Sequence, residues 1–301
     1  MKNYKDKLEI VNSKRICPQC MDNKEKRKNC EFCYGSGFEP IDISGLWESK
    51  IDNNGSSGFL VCGGPSINEL PFEKLNERGI VSLGVNNISA HVPVSAWCFS
   101  DPHEKFHHSL FLDPSIITFA PSPKLKRKIR IKKDNGEFEN TKIQIRDCPN
   151  TFGFHRKTNL FPDKFLETNY AHWGYGGKMP DSEKPYTCLC TMLIGIRLMC
   201  YLGCQRIYML GVDFLRSQDK QYAFDQKAAV KNGRYSHEND MLKRIKPYLE
   251  SKNIKIFNCN PKSNCDAFDY VSFHDAFENC KNRVPDKIDL SEWYDKDKIK
   301  K

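Results

Sequence analysis

The sequence predicts an α/β protein built on a parallel sheet, with a cysteine-rich segment in front of the sheet and a basic hairpin inserted into it. Three observations carry this reading. Short apolar runs of strand character end in glycine, asparagine or aspartate, and helix-like segments separate them: 59–62 runs into Gly63-Gly64-Pro65-Ser66, 80–85 into Asn86-Asn87, 95–100 into Asp101, and 206–212 into Asp213. Asn135-Gly136 stands between two alternating runs, KLKRKIRIKK (124–133) and TKIQIR (141–146), which is the strongest short-range signal for a hairpin. Cys17-x-x-Cys20 and Cys30-x-x-Cys33 are two knuckles with nine residues between them.

Taken in order, residues 1–45 read as a small module in which Cys17, Cys20, Cys30 and Cys33 hold a structural Zn²⁺, because four thiolates at this spacing suit a tetrahedral ion. Tyr34-Gly35-Ser36-Gly37 completes a C-x-x-C-x-G-x-G pattern similar to that of chaperone-type zinc modules. Either the metal simply folds a segment too small for a core, or Lys24, Lys26, Arg27 and Lys28 make the module a contact surface. Residues 52–58 (DNNGSSG) read as a linker. A domain at 59–280 follows. It opens strand–turn–helix–strand, with a short helix over 67–78 ended by Gly79. The hairpin at 124–146 interrupts it, and 151–186, with Trp173-Gly174-Tyr175-Gly176-Gly177, reads as a lid or loop. A helix over 187–203 capped by Gly203, a strand over 206–212, an amphipathic helix over 238–252 and a strand over 254–258 complete the domain, and 281–301 is a charged tail.

Composition narrows the class without naming it. A chain of 301 residues can bury a large core, and its net charge of +9 favours anionic partners such as nucleic acid or phosphates, although a basic enzyme without a polyanion partner is equally compatible. No apolar run reaches the length of a membrane span, and the first residues lack the apolar centre of a signal peptide, so a cytoplasmic protein is expected. The 14 cysteines then read as reduced thiols and metal ligands rather than a disulfide framework.

Several polar residues have the chemistry of a nucleotide site. A glycine turn after a strand lets backbone N–H groups approach a phosphate, and Gly63, Gly64, Pro65 and Ser66 form such a turn; a plain turn is the competing reading. Asn86, Asn87 and Asp101 end strands on the edge where α/β sheets bind ligands, and Asn amides can donate to phosphates or read ribose and base edges. Asp213 either bonds a ribose or holds loop backbone. Tyr222 either donates to a leaving phosphate or packs. His237, placed just before a helix, is either a cap or a general base for deprotonating a hydroxyl. The basic hairpin is either a solvated edge protected by its lysines or a clamp on a polyanion.

These segments together resemble a known family. GGPSI (63–67), VNN (85–87), SDP (100–102), YLGCQRIYMLGVDF (201–214), QYAFD (221–225), SHENDMLKRIKPYLE (236–250) and IKIFNCNPKS (254–263) are similar to the bacterial lipooligosaccharide-type sialyltransferases and to related phage and motility-accessory glycosyltransferase-like proteins. The resemblance spans 59–275 and is strongest over 190–263. It implies a modified Rossmann-like α/β domain with a small lid, and metal-independent transfer of a sugar from a nucleotide donor, a CMP-sugar, to an acceptor hydroxyl. It implies His237 as general base and Tyr222 as one of two tyrosines on the departing phosphate. The first tyrosine falls near Leu215 or Arg216, and Arg216 becomes the substitute donor. The nucleotide positions fall on Gly63 and its turn, Asn86, Asp101 and Thr191. The zinc module and the basic hairpin lie outside the family pattern, and they make a modified base in viral DNA a candidate acceptor beside a glycan. The alternative is a transferase-like domain without catalysis that binds nucleic acid or protein.

Overall fold

Runs such as FLV (59–61) and IYML (207–210) have no polar alternation, so a strand made from them must be covered on both faces. The computed structural model, which describes residues 10–21, 23–28, 30, 36–41, 56–154, 162–166, 190–214, 222–224 and 234–281, shows how. Its elements are β1 (Ile10–Ile16), α1 (Lys24–Lys28), β2 (Phe38–Ile41), β3 (Ser56–Val61), β4 (Ser82–Val85), β5 (Ala96–Cys98), α2 (His108–Leu112), β6 (Ile117–Pro121), β7 (Lys128–Lys132), β8 (Phe138–Gln144), β9 (Thr151–Phe154), α3 (Thr191–Leu202), β10 (Cys204–Leu210), α4 (Arg234–Ser251), β11 (Lys255–Asn258), β12 (Asp269–Tyr270) and α5 (Phe273–Cys280). Among the described residues, ten strands form one sheet in the order β12-β11-β10-β3-β4-β5-β6-β9-β1-β2. The pairings from β12 to β9 are parallel, and β1 and β2 add antiparallel at one edge.

One face of the sheet carries Leu60, Leu83, Ile207 and Met209 under α3 and α4, which bury Ile194, Leu198, Met241 and Ile245. The opposite face carries Phe59, Val61, Tyr208 and Leu210 under α5, with Phe273 and Phe277 against them. Beyond β4 the same face is closed by an aromatic cluster in which Trp97 stacks on Phe99 at 4.7 Å and meets Phe111 edge-on at 5.0 Å. The two-residue period of a strand explains why neighbours such as Phe59 and Leu60 serve different layers. Gly203 ends α3 in the left-handed region, with φ 107°, and its N–H closes on the carbonyls of Met199 and Cys200.

The inserted hairpin is present as an antiparallel pair, β7 with β8, forming a separate two-stranded sheet between β6 and β9. Its tip closes through Lys133 and Glu137 with Gly136 at φ 84°, a three-residue loop rather than a two-residue Asn-Gly turn. Ile129 and Ile145 anchor its base in the aromatic cluster.

Several expectations are corrected. Residues 67–78 are not one helix: two short 3₁₀ segments, Pro65–Glu69 and Phe72–Asn76, flank Pro71, which has no N–H to continue the first. The cysteine segment does not stand apart in hydrogen bonding, since β1 pairs with β9 and β2 pairs with β1. The lid does not begin at 151: Thr151–Phe154 is an interior strand of the sheet, and Phe165 is fully buried in the core. Helix α4 begins at Arg234, so His237 lies within its first turn rather than before it. The linker does not reach 58, because Ser56, Ser57 and Gly58 open the buried strand β3. Residues 52–55, the remainder of the lid (155–161 and 167–186) and nearly all of the tail lie outside the described residues.

The hairpin has one buried face and one open face, and substitutions should separate them. Ile129→Ala is expected to lower unfolding free energy by about 2–5 kcal/mol, as for large-to-small core changes. Lys132→Ala, on the exposed side, should stay within about 0.5 kcal/mol of the parent in the same urea titration.

Candidate functional site

The order of the strands creates a gap. From β3 the chain proceeds to β4, β5 and β6 on one side, and from β10 to β11 and β12 on the other, although β3 and β10 are parallel neighbours. The loops leaving these two carboxyl ends must diverge, and the crevice between diverging loops is where open α/β sheets bind ligands. Cys62–Ser66 leaves one strand and Gly211–Asp213 leaves the other.

The two loops are tied together at their roots. Cys62 N–H donates to the Leu210 carbonyl and Gly64 N–H to the Gly211 carbonyl, both at 2.8 Å. A β-carbon at Gly64 would sit 2.5 Å from that carbonyl oxygen, and one at Gly211, where φ is 64°, would sit 2.3 Å from the Cys62 carbonyl oxygen. Asp213, only 4% exposed, accepts from Ser66 N–H at 2.9 Å, from the Ser66 hydroxyl, and from the Asn260 amide at 2.8 Å. Of the two readings of Asp213, loop anchoring is therefore the one seen. The glycine turn is corrected in the same way: its Gly64 and Ser66 N–H groups are engaged within the protein rather than aimed at a phosphate.

A second set of polar groups gathers beside this root. Asn86, at φ 55° just after β4, donates its amide to the Thr191 hydroxyl at 3.1 Å, and Ser100 Oγ lies 2.6 Å from the same hydroxyl. The Asn86 carbonyl accepts from Trp97 Nε1 at 2.9 Å, which fixes its strained backbone to the core. Thr191 is the first residue of α3, and the side chain of the N-cap residue Cys190 does not cap the helix. Asn86 and Thr191, both placed at a nucleotide site by the resemblance, are thus in contact with each other. Ser100 was not singled out, and only its adjacency to Asp101 could have pointed to it. Asp101 itself is half-exposed and pairs with Lys105 at 3.5 Å, outside this cluster.

Residues Tyr222-Ala223-Phe224 lie across the turn. Ala223 N–H donates to the Gly63 carbonyl at 2.9 Å and the Ala223 carbonyl accepts from the Asn68 amide at 2.7 Å. The Tyr222 ring stacks on Phe224 at 5.7 Å and would be in ordinary contact with a methyl at Gly63, at 3.4 Å. The first turn of α4 reaches the same region: Tyr235 stacks on Phe214 at 5.1 Å, and the buried Glu238 lies close enough to Cys62 to act on its thiol. Burial first, then Asp213 and Glu238, push that thiol far above its ordinary range. Between Tyr235 and Glu238, His237 has its Nε2 shielded from solvent with no hydrogen-bond partner among the described residues. A buried polar atom left unpaired costs about 1–3 kcal/mol, which makes this ring a functional candidate rather than a cap.

At the far edge of the sheet, Cys17, Cys20 and Cys30 bring their thiol sulfurs within 4.8 Å of one another, with Cys17 and Cys30 at 3.7 Å. This donor set can hold a metal ion. Cys17 N–H donates to the Gly37 carbonyl at 3.0 Å, so the glycine of the second knuckle locks the first. Cys33 and Arg216 lie outside the described residues. Among the described residues no helix is long and apolar enough to cross a membrane. In comparisons with known proteins, no family model, curated protein or solved structure matches this chain.

The crossing of the two loops has a direct test. Gly64→Ala should destabilise the protein by about 1–3 kcal/mol, because its β-carbon would displace backbone. Gly63→Ala, in open van der Waals contact, should change the urea midpoint little; equal losses would mean that the loops do not meet as described.

Proposed function

We propose that the crevice is the active site of a glycosyltransferase that moves a sugar from a nucleotide donor, a CMP-sugar by resemblance, to an acceptor hydroxyl. The observation that carries this reading is the contact of Asn86 with Thr191 at the start of α3, where strand ends meet a helix N-terminus lacking a side-chain cap. The first N–H groups of such a helix and its dipole favour a negatively charged group. The nucleotide would therefore lie along Asn86, Ser100 and Thr191, with its phosphate toward α3 and Tyr222.

The chemistry assigned to the site is direct displacement. The acceptor oxygen attacks the anomeric carbon, the bond from that carbon to the phosphate oxygen breaks, and its electron pair leaves with the nucleotide. His237 Nε2 takes the acceptor proton, a role suited to an imidazole near neutral pH. Tyr222 donates to the departing phosphate from its place over the glycine turn, with Arg216 as a second donor. Asp213 touches no substrate in this scheme and holds the two loops at their separation. The acceptor is a modified base in DNA or a glycan hydroxyl.

The cysteine cluster is assigned a structural zinc ion, with Cys33 as fourth ligand. Zinc–sulfur bonds of about 2.3 Å in a tetrahedron place sulfurs about 3.8 Å apart, close to the 3.7 Å between Cys17 and Cys30. The ion would pin β1 to β2 and takes no part in transfer. Thiol chemistry checks it. Burial raises Cys265 to about 11 and Cys204 and Cys259 to about 12, so at pH 8 their thiolate fractions are small. Alkylation of the native protein with a chelator should label Cys17, Cys20 and Cys30 first and leave Cys204, Cys259 and Cys265 untouched. Labelling of Cys17, Cys20 and Cys30 at the same rate without chelator would remove the metal assignment.

One observation favours a second reading, a binding module without catalysis: the Gly64 and Ser66 N–H groups are already engaged. Calorimetric titration of CMP, UMP, UDP and GDP distinguishes the two. A transferase should select one nucleotide, and Thr191→Val should weaken it about tenfold, the value of one good hydrogen bond. His237→Ala should keep that affinity and lower turnover about 10²- to 10⁴-fold. Failure of every nucleotide to bind would end the transferase proposal.

A further inference from the structure

Next to the crevice lies a cleft of about 390 Å³, between the strand ends and the inserted hairpin. The hairpin supplies Arg130, Lys132 and Phe138; the segment after β5 supplies Lys105 and three histidines, His103, His107 and His108; Asn87, His91 and Phe224 form the wall shared with the crevice. Asn87 is the neighbour of Asn86, and Phe224 stacks on Tyr222, so residues of the cleft wall adjoin residues of the candidate site.

The charges of the cleft are unequal. Glu104 is the carboxylate in its lining, and it already lies 3.1 Å from His103 Nδ1. Lys105 is shared with Asp101 at 3.5 Å. Arg130 and Lys132 have no carboxylate partner among the described residues, and strand alternation puts both on one side of β7 while Ile129 is buried. Phe138 is 55% exposed, and the Arg130 guanidinium lies over its ring, 4.6 Å from the centroid. The cleft floor is fixed to the hairpin: His103 Nε2 lies 3.0 Å from the Lys128 carbonyl.

A small anion needs cations but no exposed aromatic ring, and an apolar ligand needs the ring but no free cations. Cations along a groove together with an exposed aromatic surface are what a flexible strand of nucleotides uses, with phosphates on the cations and bases stacked on rings. We propose that this cleft binds a single-stranded nucleic-acid segment, with phosphates on Arg130 and Lys132 and a base on Phe138. The segment would enter the crevice past Asn87 and Phe224. The proposal rests on the transferase reading for its purpose, since it makes the strand the acceptor: a base can reach His237 only when it is outside a duplex stack. The binding itself is independent of that reading.

Fluorescence anisotropy with a labelled 15-nucleotide oligothymidylate tests it on the full metal-loaded chain. The logarithm of the association constant should fall linearly with the logarithm of salt concentration. Arg130→Ala with Lys132→Ala should reduce the magnitude of that slope by about 1.4, at about 0.7 per single-strand phosphate contact. Phe138→Ala should weaken binding about 5- to 160-fold, the range of one stacked base. Lys246→Ala with Lys255→Ala, on helix α4 and strand β11 away from the cleft, serves as the charge-matched control and should leave the cleft slope unchanged. Unchanged thermal melting of each variant separates lost binding from lost folding. No oligonucleotide binding, or an equal loss in the control, overturns the proposal. Tighter binding of a sulfated glycan that ignores Phe138→Ala overturns it in favour of a glycan. The CMP titration, run in parallel, reports on the crevice alone: oligonucleotide binding without nucleotide binding keeps the cleft and removes the transferase, and the converse removes only the cleft.

Discussion

The crossing of two glycine-bearing loops at the carboxyl ends of β3 and β10 is the constraint on which the rest of the site depends. Parallel neighbours whose chains depart in opposite directions would leave unpaired backbone groups at their ends. Here the Gly64 N–H and the Gly211 carbonyl satisfy each other at 2.8 Å, a closeness that any β-carbon at either position would prevent. Asp213 completes the junction. A carboxylate 4% exposed is tolerable only with its oxygens occupied, and Ser66 and Asn260 provide the donors. One acidic side chain thus joins the loops after β3, β10 and β11.

Around this junction, apolar and polar residues fall in different places. The sheet is sealed by α3 and α4 on one face and by α5 and the aromatic cluster on the other, and these layers need only apolar side chains of the right size. The polar exceptions concentrate at the strand ends. Asn86 is in a left-handed conformation, Thr191 is buried at a helix start, and His237 Nε2 has no partner among the described residues. Of these, Asn86 and Thr191 are tied to each other at 3.1 Å, so two of the three polar exceptions form one hydrogen-bonded group at the sheet's carboxyl edge.

The additions to the sheet obey the same physics at its other side. The cysteine segment is held by sheet pairing through β1 and β2, which gives the clustered thiols a rigid base they could not build from their own residues. The hairpin is inserted between β6 and β9 and rooted by Ile129 and Ile145, which leaves Arg130, Lys132 and Phe138 on an open face next to the crevice. Both additions therefore extend the sheet's surface without altering the parallel core.

What the sequence by itself determined is the local pattern. Unbroken apolar runs required strands buried on both faces, Gly203 required a helix end, Asn135-Gly136 between alternating runs required a hairpin, and cysteine spacing required a clustered donor set, because each depends on residues within a few positions of one another. It misjudged 67–78, where Pro71 turned a helical pattern into two short 3₁₀ segments, and it missed β9, whose four residues TFGF follow the turn at Pro149-Asn150 but are too short to carry a pattern of their own. Only the tertiary structure decided which strands are neighbours, and with that the whole meaning of the site. Asn86 and Thr191 are 105 residues apart in the chain yet share a hydrogen bond; Gly64 looks like a phosphate cradle in sequence yet serves as a crossing point; Asp213 has no visible partner until Ser66 and Asn260 arrive from other strands. Hydrogen bonds act over about 3 Å, whereas sequence patterns speak only for near neighbours along the chain, so contacts between distant strand ends become known when the sheet order is.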